Sequence, residues 1–329
     1  MVAKDNKTNF PYQFSQNTQS SPEKIAFTFL KDNQELIDIS YAELMKKISG
    51  VSRVILESTK PGEPIVLLYS SGVNFIVAFI ACLFTDRLAI PAYPPINCSA
   101  VTRLENIIKS AKPALILSEE LILKNLKKIP YIKYLLFPYV KKRVLRSFHV
   151  PENIGFLFEK VSRMIATDAL TDEKIYTDFN NIKGCAFIQY TSGTTASPKG
   201  VMISHENIAH NLHLIREAFN IHSESKGFIW LPPYHDMGLI GGILVPLYHR
   251  FPVILTSPLN FIKNPNIWLE SISKYRATIS GGPNFAYNLC NQRTREELLS
   301  TLDLSSWEIA FCGAEPIHAE TMNRFVQKF

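Results

Sequence analysis

The sequence predicts an α/β protein whose largely parallel sheets are covered by helices. Three observations carry that expectation. From Ile65 to Ser118, and again after Lys183, short strand-like apolar runs alternate with helix-like runs, the order that builds βαβ units. The 329 residues are 46% apolar and 19% charged, which sits at the globular average and excludes a disordered or low-complexity chain. That length suits two ordinary domains, or one large α/β domain with a satellite, and twenty prolines against fourteen glycines point to many rigid turns.

Taken in order, Ile25 to Leu30 and Leu36 to Ile39, joined by Lys31-Asp32-Asn33-Gln34-Glu35, read as a hairpin. Ser40-Tyr41-Ala42-Glu43 has capping-box spacing, and Leu44, Ile48, Val51 and Ile55 recur behind it at helical intervals. The run from Ile65 to Thr85 holds twenty-one residues without a charge, enough to be weighed as a membrane span. Ser70, Ser71, Gly72 and Asn74 divide it instead into a strand, Ile65 to Tyr69, and an apolar helix, Val73 to Phe84. Leu88 to Ala92, Ala100 to Ser110 and Ala114 to Ser118 continue as strand, helix and strand, with Pro91, Pro94 and Pro95 ending one unit in an extended turn.

A second α/β region follows. Cys185 to Tyr190 and Val201 to Ile203 read as strands, and Ser204 caps a helix whose Ile208, Leu212, Ile215 and Phe219 share a face. Gly227 to Pro232, Val253 to Thr256, Ala277 to Gly281 and Glu308 to Cys312 read as further strands, and ligands gather at such strand ends in open α/β sheets. The expected division is a first subdomain over 1–182 and a second over 183–329.

The net charge of +6 would favour a polyanionic partner if it were evenly spread. It is not. Lys124, Lys127, Lys128, Lys133, Lys141, Lys142, Arg143 and Arg146 fall in one stretch without an acid, so nucleic-acid binding by the whole surface is not expected. The simpler reading of Lys124 to Arg146 is a solvated face with lysine stems over apolar neighbours; the sharper one is a weak membrane-surface or acidic-partner contact. Cys82, Cys98, Cys185, Cys290 and Cys312 are widely spaced, lack metal spacing and suit a reducing cytoplasm. The N-terminus has no apolar core of the kind a secretory signal needs, and an integral membrane protein is not expected.

Four stretches carry chemistry. Thr191-Ser192-Gly193-Thr194-Thr195-Ala196-Ser197-Pro198-Lys199-Gly200 packs five hydroxyls, glycines and one lysine between two strands, with no carboxylate to repel an anion. Backbone N–H groups, hydroxyls and a mobile cation make a phosphate cradle. It is not a Walker A loop, because the lysine precedes the glycine and a strand follows. Trp230 to Gly242 contains Pro232-Pro233-Tyr234-His235-Asp236-Met237-Gly238-Leu239, where His235 can donate to an anionic oxygen and Asp236 can orient its ring or a nearby backbone group. Gly281 to Tyr287 and Phe311 to Ile317 each follow a strand. Cys312 reads as packing rather than as a nucleophile, since no basic residue adjoins it.

Tyr190 to Val201 resembles the signature loop of the acyl-adenylate-forming enzymes, and His235 to Leu239 is similar to the fatty acyl-AMP ligase branch of that superfamily. One departure is Ala196, where most members have glycine, which stiffens the loop. The resemblance implies the large N-terminal domain of these enzymes, with stacked mixed and parallel sheets flanked by helices. Its small C-terminal lid domain, with the later motifs, lies beyond Phe329. It also implies an activity: a fatty carboxylate, long-chain by expectation, reacts with Mg2+-bound ATP to give acyl-AMP and pyrophosphate. The acyl group is destined for an acyl carrier protein of a polyketide synthase, or alternatively for coenzyme A. Carried over residue by residue, Thr191, Ser192, Gly193, Thr194, Thr195 and Lys199 hold the ATP phosphates, with Thr195 an indirect contact to the metal. His235 and Lys199 are catalytic, and Gly313, Ala314, Glu315 and Pro316 bind adenine. Asp236, Met237, Gly238, Leu239, Gly282, Pro283, Asn284 and Phe285 line the acyl site. A different class remains open, a truncated nucleotide- or lipid-binding fragment without catalysis.

Overall fold

The computed structural model describes residues 9–31, 35–94, 98–124, 163–175, 182–191 and 199–329. In chain order the elements are α1 (Phe10–Ser20), β1 (Ile25–Leu30), β2 (Leu36–Ser40), α2 (Tyr41–Ser58), β3 (Pro64–Leu68), α3 (Val73–Phe84), β4 (Leu88–Ala92), α4 (Cys98–Ala111), β5 (Leu115–Ser118) and β6 (Met164–Ala166). Then come β7 (Cys185–Thr191), β8 (Lys199–Ser204), α5 (His205–Ala218), β9 (Gly227–Ile229), a π-helix (Met237–Leu244) running into α6 (Val245–His249), and β10 (Val253–Thr256). The chain continues with α7 (Pro258–Lys263), α8 (Asn266–Tyr275), β11 (Ile279–Gly282), α9 (Asn284–Arg293), α10 (Glu296–Leu299), β12 (Ile309–Cys312) and α11 (Ala319–Lys328). They form two compact units: 1–12 with 45–208, and 13–44 with 209–329.

The first unit is built on a six-stranded sheet of order β6-β5-β3-β4-β7-β8, parallel except for the antiparallel pair β7 and β8. The uncharged run resolves as the expected βα unit. Ten of the twelve residues of α3 are buried, and Phe79 meets the Phe187 ring edge-on at 5.4 Å. No helix among the described residues is long and apolar enough to cross a membrane. Val66, Leu68, Ile90, Ile116 and Tyr190 pack with Leu104, Ile107 and Ile108 of α4, the apolar stripe of that helix meeting the sheet face. Pro91 does not end its unit; it lies within β4 opposite Leu67, and a strand accepts proline where no ladder bond calls for its N–H.

Arg87 ties this unit together. It is buried, and its guanidinium donates to the carbonyl of Thr85, which caps the C-terminus of α3, to the carbonyl of Thr59 at 2.6 Å, and to the Thr59 hydroxyl at 3.1 Å. Thr59 directly follows α2, so one cation serves the negative ends of two helices.

The second unit has a six-stranded sheet of order β12-β11-β9-β10-β1-β2, parallel but for the β1–β2 hairpin. Glu43 and Ser40 form the capping box: the Ser40 N–H donates to Glu43 Oε2 at 2.9 Å, and the Glu43 N–H donates to Ser40 Oγ at 3.2 Å. These units differ from the division expected at residue 182. The early hairpin pairs with β10, Phe27 opposite Val253, and so belongs to the later sheet. Strands β7 and β8 join β4 and belong with the first. Strand pairing is non-local, and proximity in sequence does not decide which sheet a strand completes.

Candidate functional site

Strands β9, β10, β11 and β12 run parallel, so their C-terminal ends share one edge of the second unit's sheet, and three of the four chemistry-bearing stretches begin there. Trp230 anchors the first. It is buried, stacks on Phe261 at 3.8 Å between ring centroids, and meets Trp268 and Phe285 edge-on. The chain then turns through Pro232 and Pro233, where the His235 N–H donates to the Pro232 carbonyl at 3.2 Å. His235 and Asp236 are exposed. Asp236 orients backbone: its Oδ1 accepts from the Met237 N–H at 2.8 Å at the start of the π-helix. Gly238 permits the close return of the chain, since a Cβ there would lie 2.2 Å from the Pro232 carbonyl oxygen.

Behind this turn lies an apolar cavity of about 290 Å³. The π-helix forms one wall through Met237, Ile240 and Gly241; Ile215 of α5 and Phe219 just after it form another; and the buried sheet residue Ile229 is among the lining. Asn211, Asp236 and Ala314 are its exposed lining residues, where it opens to solvent. The wider turn of i→i+5 hydrogen bonding puts Met237, Gly241 and Val245 along the cavity, four residues apart. The helix face expected from Ile208, Leu212, Ile215 and Phe219 therefore serves two tasks: Ile208 and Leu212 are buried, while Ile215 and Phe219 line the cavity.

The ends of β11 and β12 lie side by side, Gly281 opposite Phe311 and Gly282 opposite Cys312. They are knitted across. Glu315 Oε1 accepts from the Phe285 N–H at 2.6 Å, Asn284 Oδ1 accepts from the His318 N–H at 3.0 Å, and the Tyr287 hydroxyl donates to the Phe311 carbonyl at 2.7 Å. A carboxylate at the first turn of α9 is favoured by the helix dipole. Glu315 thus works on backbone. Ala314 has φ 68, a left-handed conformation that costs an alanine on the order of 1 kcal/mol. Burial, with a smaller contribution from Glu315, pushes the Cys312 thiol up, consistent with packing rather than nucleophilic chemistry.

The expected acyl residues divide accordingly. Asp236 and Met237 line the cavity. Gly238 and Leu239 are buried against other groups, Gly282 lies against the Trp230 ring, and Pro283, Asn284 and Phe285 are not among the lining residues. A Cβ on Gly313 would come 3.3 Å from Met237 Cε, so the β12 end approaches the π-helix closely. Sequence reasoning missed Ile240, Gly241, Ile215, Phe219 and Phe311 as lining residues. Their apolar character was visible; the π turn that brings Met237, Gly241 and Val245 into line was not.

In the first unit, Thr191 and Lys199 stand opposite each other at the open end of the β7–β8 pair, both exposed. Ser192, Gly193, Thr194, Thr195, Ala196, Ser197 and Pro198 lie outside the described residues, as does most of the basic stretch from Lys124 to Arg146. Lys124 itself pairs with Glu120 at 2.7 Å. The approach to the loop is held by α4: an Arg103 amino group donates to the Tyr190 carbonyl at 2.9 Å, and the Tyr190 hydroxyl donates to Ser110 Oγ at 3.0 Å. Among the described residues no three His, Cys, Asp or Glu side chains cluster as a metal site.

Comparison with known proteins adds three findings. The AMP-binding enzyme family matches residues 14–329. A medium-chain-fatty-acid–[acyl-carrier-protein] ligase, JamA of Moorena producens, is 36% identical over 321 residues, 96% of this chain and 51% of its own length. A long-chain-fatty-acid–AMP ligase of Mycobacterium tuberculosis, FadD23, is 27% identical over 331 residues, covering 98% of this chain and 53% of that protein. Among solved structures, the fatty acyl-adenylate ligase of L. pneumophila in complex with acyl adenylate and pyrophosphate superposes with TM-score 0.79 at 35% identity, covering 100% of this chain and 54% of the other. The chain spans about half the length of the relatives it matches.

Proposed function

The chain belongs to the AMP-binding enzyme family, and from that membership we propose that it serves the ATP-dependent activation of a fatty acid to acyl-AMP. The observation that carries the reading is the apolar cavity with Asp236 and Ala314 among its exposed lining residues, where two strand-end motifs meet. The matched relatives are named for medium-chain and for long-chain fatty acids, and the long chain expected from sequence stands beside a medium one as a substrate to be tested.

In this reading a carboxylate oxygen attacks the α-phosphorus in line as the bond to pyrophosphate breaks, and the protein contributes position and charge neutralisation. Thr191, Ser192, Gly193, Thr194 and Thr195 hold the β- and γ-phosphates, and Lys199 offsets their charge. His235, at the strand-end turn, donates to the α-phosphate or carboxylate oxygen. Gly313, Ala314 and Pro316 bracket the adenine, with Glu315 holding their loop to α9. Magnesium would arrive with ATP as part of the substrate, and Thr195 is the residue proposed to contact it, through water. The acyl group passes to the thiol of an acyl carrier protein as its bond to AMP breaks and AMP leaves. We assign the reaction to the cytoplasm, in keeping with Cys82, Cys185, Cys290 and Cys312 being free thiols.

The test is ATP–pyrophosphate exchange by the 329-residue chain with decanoate. Exchange should depend on the acid and fall by about 10²–10³ in Lys199→Ala, the scale for removing one preorganised charge-stabilising donor. ATP binding without exchange would favour a binding fragment, and loss of both ATP and acyl-AMP binding would overturn the proposal. Transfer to a phosphopantetheine-loaded carrier protein, set against transfer to coenzyme A, decides the acceptor.

A further inference from the structure

We propose that Gly241 sets the length of acyl chain the cavity accepts. The inference rests on reading that cavity as the acyl site. The π-helix carries three glycines, and their surroundings differ. A Cβ on Gly238 would strike the Pro232 carbonyl oxygen at 2.2 Å, and one on Gly242 would meet Ile229 Cγ2 at 2.8 Å, so both are required by packing. A Cβ on Gly241 meets no atom within 4 Å, yet Gly241 is one of the residues lining the cavity. Its missing side chain is empty space that belongs to the cavity.

Depth gives that space a consequence. The π-helix starts beside the exposed lining residue Asp236 and ends at Leu244, before the buried Val245. Gly241 lies midway on that wall, one turn inward from Met237 and one turn short of Val245. A side chain there would fill the middle of the cavity and shorten the space left to a chain running along that wall. Glycine is a poor helix former, costing roughly 1 kcal/mol relative to alanine, so its presence at a position with room for a side chain calls for a reason outside the helix. Retaining cavity depth supplies one.

The experiment is competition of hexanoate, octanoate, decanoate and dodecanoate against a fluorescent fatty acid on the full chain and on Gly241→Leu. Affinity of the unaltered chain should rise roughly four-fold per methylene, the factor that about 0.8 kcal/mol represents, until the cavity is filled. In Gly241→Leu, whose four added carbons occupy the space of about four methylenes, decanoate should lose on the order of a hundred-fold while hexanoate is nearly unchanged. Gly241→Ala, which meets no neighbour and favours the helix, should give a smaller shift in the same direction and covers the case in which the leucine variant does not fold. An unchanged length profile in both variants overturns the role of Gly241 alone, as does an equal loss at every chain length, which marks a packing defect. No binding of any acid by the unaltered chain overturns the acyl reading of the cavity, and this proposal with it.

Discussion

His205 opens α5 with its side chain buried, and among the described residues neither ring nitrogen finds a hydrogen-bond partner. Burial lowers its pKa to about 4, and the positive end of its own helix opposes an imidazolium further. The unfolded chain takes up the proton near the ordinary 6.5. Between those two values the unfolded state binds more protons than the native state, so stability must fall as pH falls from 6.5 towards 4. Above 6.5 both states are neutral at this site and the contribution is flat. With these values the loss is about 2 kcal/mol at pH 5 and about 3 kcal/mol at pH 4. The perturbation is His205→Leu, which fills similar space and cannot titrate. Urea unfolding of both proteins across pH 7.5 to 4.5 is the assay, and the comparison cancels groups such as His249 that burial shifts in the same direction. The unaltered chain should lose midpoint over that window more steeply than the variant. Parallel curves would refute the reasoning, because they would mean that the imidazole charges without cost where it sits.

Two substitutions test the packing arguments. Arg87→Leu leaves the carbonyls of Thr59 and Thr85 buried without their cation, and should cost about 3 kcal/mol or more in denaturant midpoint, the scale for breaking a buried charge network. Gly238→Ala forces a methyl against the Pro232 carbonyl and should cost about 1–3 kcal/mol in thermal or urea unfolding, with the turn before His235 displaced.

Much of the fold was legible because its signals are local. The hairpin, the Ser40 and Glu43 capping box, and the division of the uncharged run into β3 and α3 depend on residues within a few positions of each other. The strand ends that carry His235, Gly282 and Gly313 were legible for the same reason, as glycine and proline punctuate them. What could not be read depends on distance. Nothing within Ile25 to Leu30 indicates that its partner is Val253 to Thr256, and so the division at residue 182 misassigned both edges of the sheets. The π-helix also escaped, because apolar periodicity distinguishes helix from strand but not one residue per turn more or fewer. The contact of Glu315 with the amide of Phe285, 30 residues away in sequence, was equally out of reach.

The pairing of β1 with β10 also sets a timetable. Thr256 donates to the carbonyl of Leu30 across 226 residues, and at roughly 5–20 residues per second of synthesis that separation is on the order of 10–50 seconds. During this interval the apolar strand Ile25–Leu30 has left the ribosome with only β2 beside it, while residues 45–208 can complete their own sheet. A nascent chain therefore carries an unfilled strand edge at its early end, and anything that slows translation between residues 209 and 256 lengthens the time in which another chain can occupy it.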